Sequence, residues 1–423
     1  MTIYIFYEHL VREWEAINKL KDVLKKKNNK VYIFSALYEK NYSYICSIRH
    51  KPDIIIMPWF DCAQHEKIVW FLTKINPKVR ILNLHHEQLG EPSGFNYFMP
   101  KTIYGKKAAF HIAWGDNFKN HLLNNGVNSD RIFVTGNIRT DLLSKCNVNK
   151  EYLSDNYNLD IAKPWILFAE SRGYYSQRTR KSELKALLNV GVTKNEIIEQ
   201  MKFERKSMKG FLDDINSIPR SWYSKYEFIY RPHPGTNPPS NLPSWVKIIS
   251  DRSISDWIHN VDFFISCGST SIFEAEIAGI PCVSYDNYPR PYERTIVGLD
   301  KYPIINSFNE INDDLIKRVK LETGHIYEDY FGLVDCNAVN RICDVIYKIA
   351  NSKYDSRVIY YSKKICKSSF FDFCKLFIYE VVSYFMVKTS LLEVFKWPPS
   401  VYTSKKDIPF YKENNWIIDS EVK

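Results

Sequence analysis

Two stretches about thirty residues apart decide the fold. One reads Arg231-Pro232-His233-Pro234-Gly235. The other reads Ser266-Cys267-Gly268-Ser269-Thr270-Ser271 and runs on through Ile272-Phe273-Glu274-Ala275-Glu276-Ile277-Ala278-Gly279-Ile280-Pro281. Each follows an apolar, aromatic run that reads as a buried strand, Phe228-Ile229-Tyr230 and Val261-Asp262-Phe263-Phe264-Ile265. The second stretch is a turn of small residues that opens a helix. A helix start preceded by Gly, Ser and Thr leaves backbone N–H groups unpaired and carries the positive end of the helix dipole, so it suits an anion such as phosphate. Arg231 and His233 bring side-chain donors to the same edge. In an open α/β sheet that edge, at the carboxyl ends of parallel strands, is where ligands sit.

Working outward, the N-terminal half alternates strand and helix patterns. Strand-like runs cover 2–7, 31–34, 53–57, 79–84, 109–113 and 131–134, and the first helix runs from Val11 to Lys27. A second series covers 165–169, 226–230, 246–249, 262–265 and 282–284. Continuous apolar strands separated by helices imply parallel sheets covered on both faces. The polar, turn-rich segment 146–163 reads as a linker. The expectation is an α/β chain with two Rossmann-like domains, 1–145 and 164–350, and C-terminal helices over 351–423. A charged helical insertion at about 178–215 in the second domain reads as an exposed hairpin, a lid or a solvated face.

Composition bounds the function. At 423 residues a single core is unexpected. The net charge of +10 is compatible with anionic substrates, an anionic membrane surface or nucleic acid. No zinc knuckle, RNA-binding motif or helix-turn-helix pattern supports nucleic acid. The nine cysteines are scattered without a CxxC pair, which points to free thiols in a reducing cytoplasm. The start at Met1 reads as a strand and lacks the pattern of a signal peptide. No apolar run reaches the roughly 18 residues of a spanning helix. From Phe370 to Val387 the chain contains Asp372, Lys375 and Glu380 and reads as an amphipathic helix, and Lys363, Lys364, Lys367 and Lys375 are interspersed with Phe370, Phe371, Phe373 and Phe377. That segment suits bracing against the first domain, or resting on an anionic bilayer.

The first half holds a second cluster of chemistry-bearing residues. His85-His86-Glu87-Gln88-Leu89-Gly90-Glu91-Pro92 follows the strand ending at Leu84. Glu87 is the first choice for a general base or carboxylate nucleophile, with His86 assisting. Glu170 and Arg172 follow the first strand of the second half, as a catalytic carboxylate and an anion partner. Glu8-His9 and Arg12-Glu13 follow the first strand of the chain, and Asp61 follows the third. Arg139 lies in Asn137-Ile138-Arg139-Thr140-Asp141, just after Gly136 and the last strand of the first half. The His85/His86 spacing does not fit a helical metal site, so no metal is expected.

The segment from His233 to Pro281 resembles the donor-binding half of GT-B glycosyltransferases of bacterial surface-polysaccharide (capsule and lipopolysaccharide) synthesis. These include enzymes using CMP-activated Kdo or nonulosonic acids, and polymerases using CDP-alditols. The resemblance rests on His233-Pro234, on Ser269-Thr270-Ser271, and on an E-A-x-x-x-G-x-P pattern from Glu274 to Pro281. It implies a GT-B fold of two Rossmann-like domains facing a cleft. It also implies a donor site in which His233-Pro234 contacts phosphate, with Arg231 nearby. Gly268, Ser269, Thr270 and Ser271 would hold phosphate or carboxylate, and Glu274 the ribose. Glu13, Arg139 and Arg172 would bind substrate. The implied activity is metal-independent transfer of an acidic sugar from a CMP-linked donor to an oligosaccharide or lipid-linked glycan, with no other cofactor. The place is the cytoplasm, with peripheral contact to the inner membrane. A teichoic-acid-type CDP-alditol phosphotransferase, a UDP-sugar 2-epimerase and a non-catalytic scaffold are the alternatives.

Overall fold

The computed structural model describes residues 1–8, 10–36, 39–143, 148–170, 193–232, 238–288, 295–322, 326–351 and 355–369, and a few positions between 371 and 382. The chain divides into two compact units. Unit 1 comprises Met1–Gln88, Phe98–Leu142 and the chain from Asp329 onward; unit 2 comprises Leu89–Tyr97 and Leu143–Glu328.

Unit 1 is built on six parallel strands: β1 (Thr2–Tyr7), β2 (Lys30–Ser35), β3 (Ile54–Met57), β4 (Arg80–Asn83), β5 (Phe110–Ala113) and β6 (Ile132–Val134). Their order is β2-β1-β3-β4-β5-β6. Ile3, Tyr4, Ile5 and Phe6 are all 0% exposed, as are Ile54, Ile55, Ile56 and Met57. Consecutive buried residues on both faces are what a parallel sheet covered on two sides demands. One face packs the helices Leu10–Lys26 and Ala338–Asn351, through Ala16, Ile17, Leu20, Val339, Ile342 and Ile346. The other packs the helices Lys40–Arg49 and Ala63–Ile75, through Tyr44, Ile68, Val69 and Leu72.

The sequence pattern predicts a second domain reaching residue 350; in the structure Ala338–Asn351 belongs to unit 1. Its apolar stripe is complementary to the unit 1 sheet. Both Asp141 carboxylate oxygens accept from its first N–H groups, Ala338 at 3.0 Å and Val339 at 2.9 Å. An anion there neutralises the positive helix end. Farther on, Ile365 is buried in the same unit and the Cys366 N–H donates to Glu66 at 2.8 Å. Most of 370–387 lies outside the described residues.

Unit 2 carries β7 (Trp165–Glu170), β8 (Glu227–Arg231), β9 (Lys247–Ile248), β10 (Phe263–Cys267), β11 (Cys282–Tyr285) and β12 (Ile304–Ile305), all parallel, in the order β12-β11-β10-β7-β8-β9. The two-residue β12 was not expected from the sequence. Its core is aromatic. Phe168 stacks on Phe211 at 5.2 Å and meets Phe308 edge-on at 5.4 Å. Phe211 lies on the helix Lys194–Ser217, inside the segment read as an exposed insertion. That helix buries Ile197, Phe203, Phe211 and Ile215, so it is part of the core; residues 171–192 lie outside the described set. It starts at a capping box in which the Thr193 hydroxyl accepts from the Glu196 N–H and Glu196 reaches back to the Thr193 N–H.

Both sheets reverse direction once. In unit 2 the chain runs outward through β7, β8 and β9, then returns to lay β10 beside β7. In unit 1 it runs to β2, then returns to lay β3 beside β1. Such switch points leave a crevice at the carboxyl ends of the two strands involved.

Candidate functional site

At the unit 2 switch point, β10 and β7 are in register with Cys267 beside Glu170. The chain leaves β10 through Gly268 at φ +71°, a left-handed conformation that suits residues without a β-carbon. It then enters the helix Ser271–Ile277. The serines organise this turn. The Ser266 hydroxyl donates to the Ser269 carbonyl and accepts from the Ser269 N–H, both at 2.8 Å. The Ser269 and Ser271 hydroxyls are 2.7 Å apart. Thr270 is the capping residue, and its side chain makes no capping bond.

Glu274 and Glu276 are both buried. Glu276 is committed to the fold: it accepts from the Tyr302 hydroxyl and from the N–H groups of Ile326 at 2.8 Å and Tyr327 at 3.1 Å. Glu274 lies three residues after Ser271 on the opening turn. Glu170 is buried and accepts a hydrogen bond from the Tyr230 hydroxyl on the adjacent strand β8. Arg231, at the end of β8, donates to the main-chain carbonyls of Asp251, at 2.8 Å, and Arg252. Burial pushes its guanidinium down to about 10. Arg231 therefore pins the turn after β9, where Arg252 sits at φ +59°. His9, Arg172, His233 and Pro234 lie outside the described residues.

Unit 1 gathers its own polar groups at the carboxyl ends of β1, β3 and β4. Glu13 is 0% exposed and accepts from the Glu8 N–H at 2.9 Å. His86 is buried with Nε2 3.8 Å from the Glu13 carboxylate, and its N–H donates to the Pro58 carbonyl at 3.1 Å. Glu87 is half-buried beside it. Arg139 has its guanidinium 5.6 Å from the centre of the Trp114 ring, and its N–H donates to Asn137 Oδ1 at 2.9 Å.

The structure adds a cluster that motif reading does not reveal. His111, on β5 next to the edge strand β6, places Nε2 2.7 Å from the Gly105 carbonyl. Its Nδ1 is 2.8 Å from His85 Nε2. His85 Nδ1 is 3.8 Å from an Asp61 carboxyl oxygen. Asn83 ties the set together: its amide nitrogen is 3.3 Å from His85 Nδ1 and 3.4 Å from Asp61 Oδ1, and its Oδ1 accepts the His85 N–H at 3.1 Å. His85 adopts φ +47°, an unusual conformation for a residue with a β-carbon.

Burial pushes His111 down to about 4 and His85 well below its ordinary value, where His111 and His86 add repulsion. Burial raises Asp61 to about 7, against the opposing pull of Asn83 and Lys101. The Asp61 N–H donates to His65 Nδ1 at 3.0 Å, and burial depresses His65 to about 3. The only sequence signals were Asp61 past β3 and the His-His pair. That His85 turns inward to meet a histidine on another strand is a tertiary fact. Among the described residues no group of His, Cys, Asp or Glu is arranged to hold a metal, and no helix is long and apolar enough to cross a membrane.

No protein-family model and no curated protein matches the chain. Solved structures do. The wall teichoic acid polymerase TagF superposes with a TM-score of 0.53 at 12% identity, covering 84% of this chain and 90% of that one. The UDP-GlcNAc 2-epimerase from Methanocaldococcus jannaschii superposes with a TM-score of 0.50 at 16% identity, covering 82% and 99%. At these identities the likeness is one of fold. The two six-stranded parallel sheets with their helices are an α/β architecture of the GT-B type, as expected from the sequence.

Proposed function

We propose that the chain is a glycosyltransferase of bacterial surface-polysaccharide synthesis, taking an acidic sugar from a CMP-linked donor. The observation that carries this reading is the Gly268–Ser271 turn at the unit 2 switch point, with Glu274 on the helix it opens. Transfer from a nucleotide donor builds negative charge on phosphate oxygens as the glycosidic bond breaks. Fixed N–H groups and hydroxyls on a rigid turn stabilise that charge without a metal. Ser269, Thr270 and Ser271 supply them here, and His233 with Pro234, which follow β8 in the sequence, add an imidazole. A carboxylate one turn into the helix, Glu274, accepts from two ribose hydroxyls. Glu170, held by Tyr230, stands on the neighbouring strand end.

Unit 1 takes the acceptor glycan at the carboxyl edge of its sheet, where Glu13, His86, Glu87 and Arg139 lie. The chain's net charge of +10 suits an anionic donor and an anionic glycan. Of the fold relatives, one is named for polymerising wall teichoic acid and the other for epimerising UDP-GlcNAc. The place of action is the cytoplasm, with peripheral contact to the inner membrane through the basic C-terminal segment.

Nucleotide binding tests the reading. Thermal shift with CMP, CDP, UMP and UDP is expected to show the largest stabilisation with CMP. Glu274→Gln and His233→Ala are each expected to weaken CMP binding about tenfold, equivalent to about 1.4 kcal/mol. Selective stabilisation by UDP would replace the reading with a UDP-sugar enzyme, and by CDP with an alditol-phosphate polymerase. No response to any of the four would leave a scaffold.

A further inference from the structure

We infer that the exposed face of the helix Lys194–Ser217, with Tyr288 beside it, binds an anionic glycan, its acid groups on Lys202, Arg205, Lys206 and Lys209 and a sugar ring on Tyr288. The ligand class rests on the transfer reading above. The surface itself lies wholly within unit 2. The helix buries Phe203, Phe211 and Ile215 and leaves the four cations exposed. They fall at i, i+3, i+4 and i+7, the spacing of one helical face. Cations so placed repel one another and weaken a helix. Lys202 pairs with Glu199 at 2.8 Å, both side chains being 62% exposed. From Arg205 to Leu212 the sequence holds no acid. The fold gains nothing from this arrangement, whereas a polyanion laid along the face gains from every member of it.

The aromatic partner is fixed in place. Tyr288 follows β11, three residues past the end of that strand at the carboxyl edge of the unit 2 sheet. Asn287 ties it to the helix. Its amide nitrogen donates to the Ser207 carbonyl at 3.2 Å, and its Oδ1 accepts from the Ser207 hydroxyl at 3.3 Å. The approach needs glycine at position 210, because a β-carbon there would collide with the Asn287 amide. Tyr288 rests against Phe203, ring centres 5.5 Å apart, and stays 36% exposed. Lys206 Nζ lies 5.6 Å from the centre of the Tyr288 ring and 3.4 Å from its hydroxyl. A rigid, exposed ring with a cation beside it is a platform for the apolar face of a sugar that carries an acid.

The spacing suits a linear glycan. One helical turn, about 5.4 Å, is close to the length of one sugar in an extended chain, so a carboxylate on each sugar meets a cation on each turn. A bilayer fits this face less well. Among the described residues of the helix, the large aliphatic side chain left exposed is Ile198, at 38%, and a helix lying in a membrane surface needs a broad apolar face to bury.

The test measures binding of the full chain to oligomers of galacturonate and of N-acetylneuraminate by calorimetry, at low and high salt. Both acidic glycans are expected to bind, neutral dextran is not, and affinity should fall as salt rises. The variant carrying Lys202→Gln, Arg205→Gln, Lys206→Gln and Lys209→Gln should bind at least about twentyfold more weakly. Glutamine keeps the helix and ends the like-charge repulsion, so the urea midpoint of that variant should hold or rise. Tyr288→Ala should weaken binding about tenfold with no change of charge. Oligoglutamate, single-stranded RNA and phosphatidylglycerol vesicles are the controls. Equal or tighter binding of any control, or wild-type affinity in Tyr288→Ala, would leave only a general attraction for polyanions and overturn the inference. So would a wild type that ignores both acidic glycans, a fourfold variant within about threefold of wild type, or loss of the CMP thermal shift in that variant. A wild type that binds the acidic glycans but none of the four nucleotides ends the transfer reading and leaves this surface standing.

Discussion

Asp61→Asn raises the stability of the protein at pH 8 by roughly 3–4 kcal/mol and leaves it nearly unchanged at pH 4. The carboxyl is raised to about 7 in the folded protein, against roughly 3.9 in an unfolded chain. Between those values the folded state binds a proton that the unfolded state does not. Stability from this group is therefore present at low pH and lost as pH rises through 7. Asparagine keeps the shape and removes the buried charge, so its advantage appears only where the wild type is ionised. Sheltering a carboxyl this way lowers stability at neutral and alkaline pH, a cost of the kind that recurs at functional sites.

The histidines act in the opposite sense. His65 and His111 are held at about 3 and about 4, and each titrates near 6.5 when unfolded. Below that value the unfolded chain takes up protons the folded chain refuses, so stability falls as pH drops from 6.5 towards 4. Two such groups cost roughly 6 kcal/mol at pH 4, a large share of a typical 5–15 kcal/mol. Asp61→Asn, having lost the compensating carboxyl, should show the steeper acid limb. Urea unfolding of both proteins from pH 4 to pH 8 measures the two slopes. A difference that does not grow with pH would show that Asp61 is ionised throughout.

The second large effect concerns Asp355. Arg131 is 1% exposed, stacked 4.4 Å over the Phe110 ring, and its guanidinium is bonded to the Asp355 carboxylate. Asp355 also caps the helix Ser356–Ser362 by accepting from the Arg357 N–H at 2.9 Å. Burial alone would raise this carboxyl, yet the bonds from Arg131 and Arg357 hold it below its ordinary value. Asp355→Ala leaves the buried Arg131 with only the exposed Asp130 carboxylate, 3.9 Å from its Nε, as counter-charge, which costs about 3 kcal/mol. Asp355→Asn keeps an acceptor for both bonds and should cost less. Adding Arg131→Met to Asp355→Ala removes the poorly compensated buried charge and should recover most of the loss. If the double variant is no more stable than Asp355→Ala, the cost lies in the helix cap and not in the buried charge.

The strands were legible because each is a run of apolar residues too short for a helix. Thr2–Tyr7, Ile54–Met57 and Trp165–Glu170 fall where the runs predict them. The turn at Gly268 was legible because few residues other than glycine suit its backbone. What could not be read is side-chain partnership across sequence distance. Arg231 looked like a phosphate ligand, and its donors go to carbonyls 20 and 21 residues away. Glu276, which carries no role in the sequence, is claimed by Tyr302, Ile326 and Tyr327. His85 and His111 are 26 residues apart, and only strand order brings them together. The helix Ala338–Asn351 shows an apolar stripe in sequence, but a stripe does not say which sheet it covers.

A crystal structure of the full chain with CMP bound tests the central claim most directly. The predicted result has the phosphate oxygens within about 3 Å of donors on Ser269, Thr270 and Ser271, with the ribose hydroxyls on Glu274. A nucleotide seated away from the Gly268–Ser271 turn, with Glu274 touching no part of it, would contradict the account.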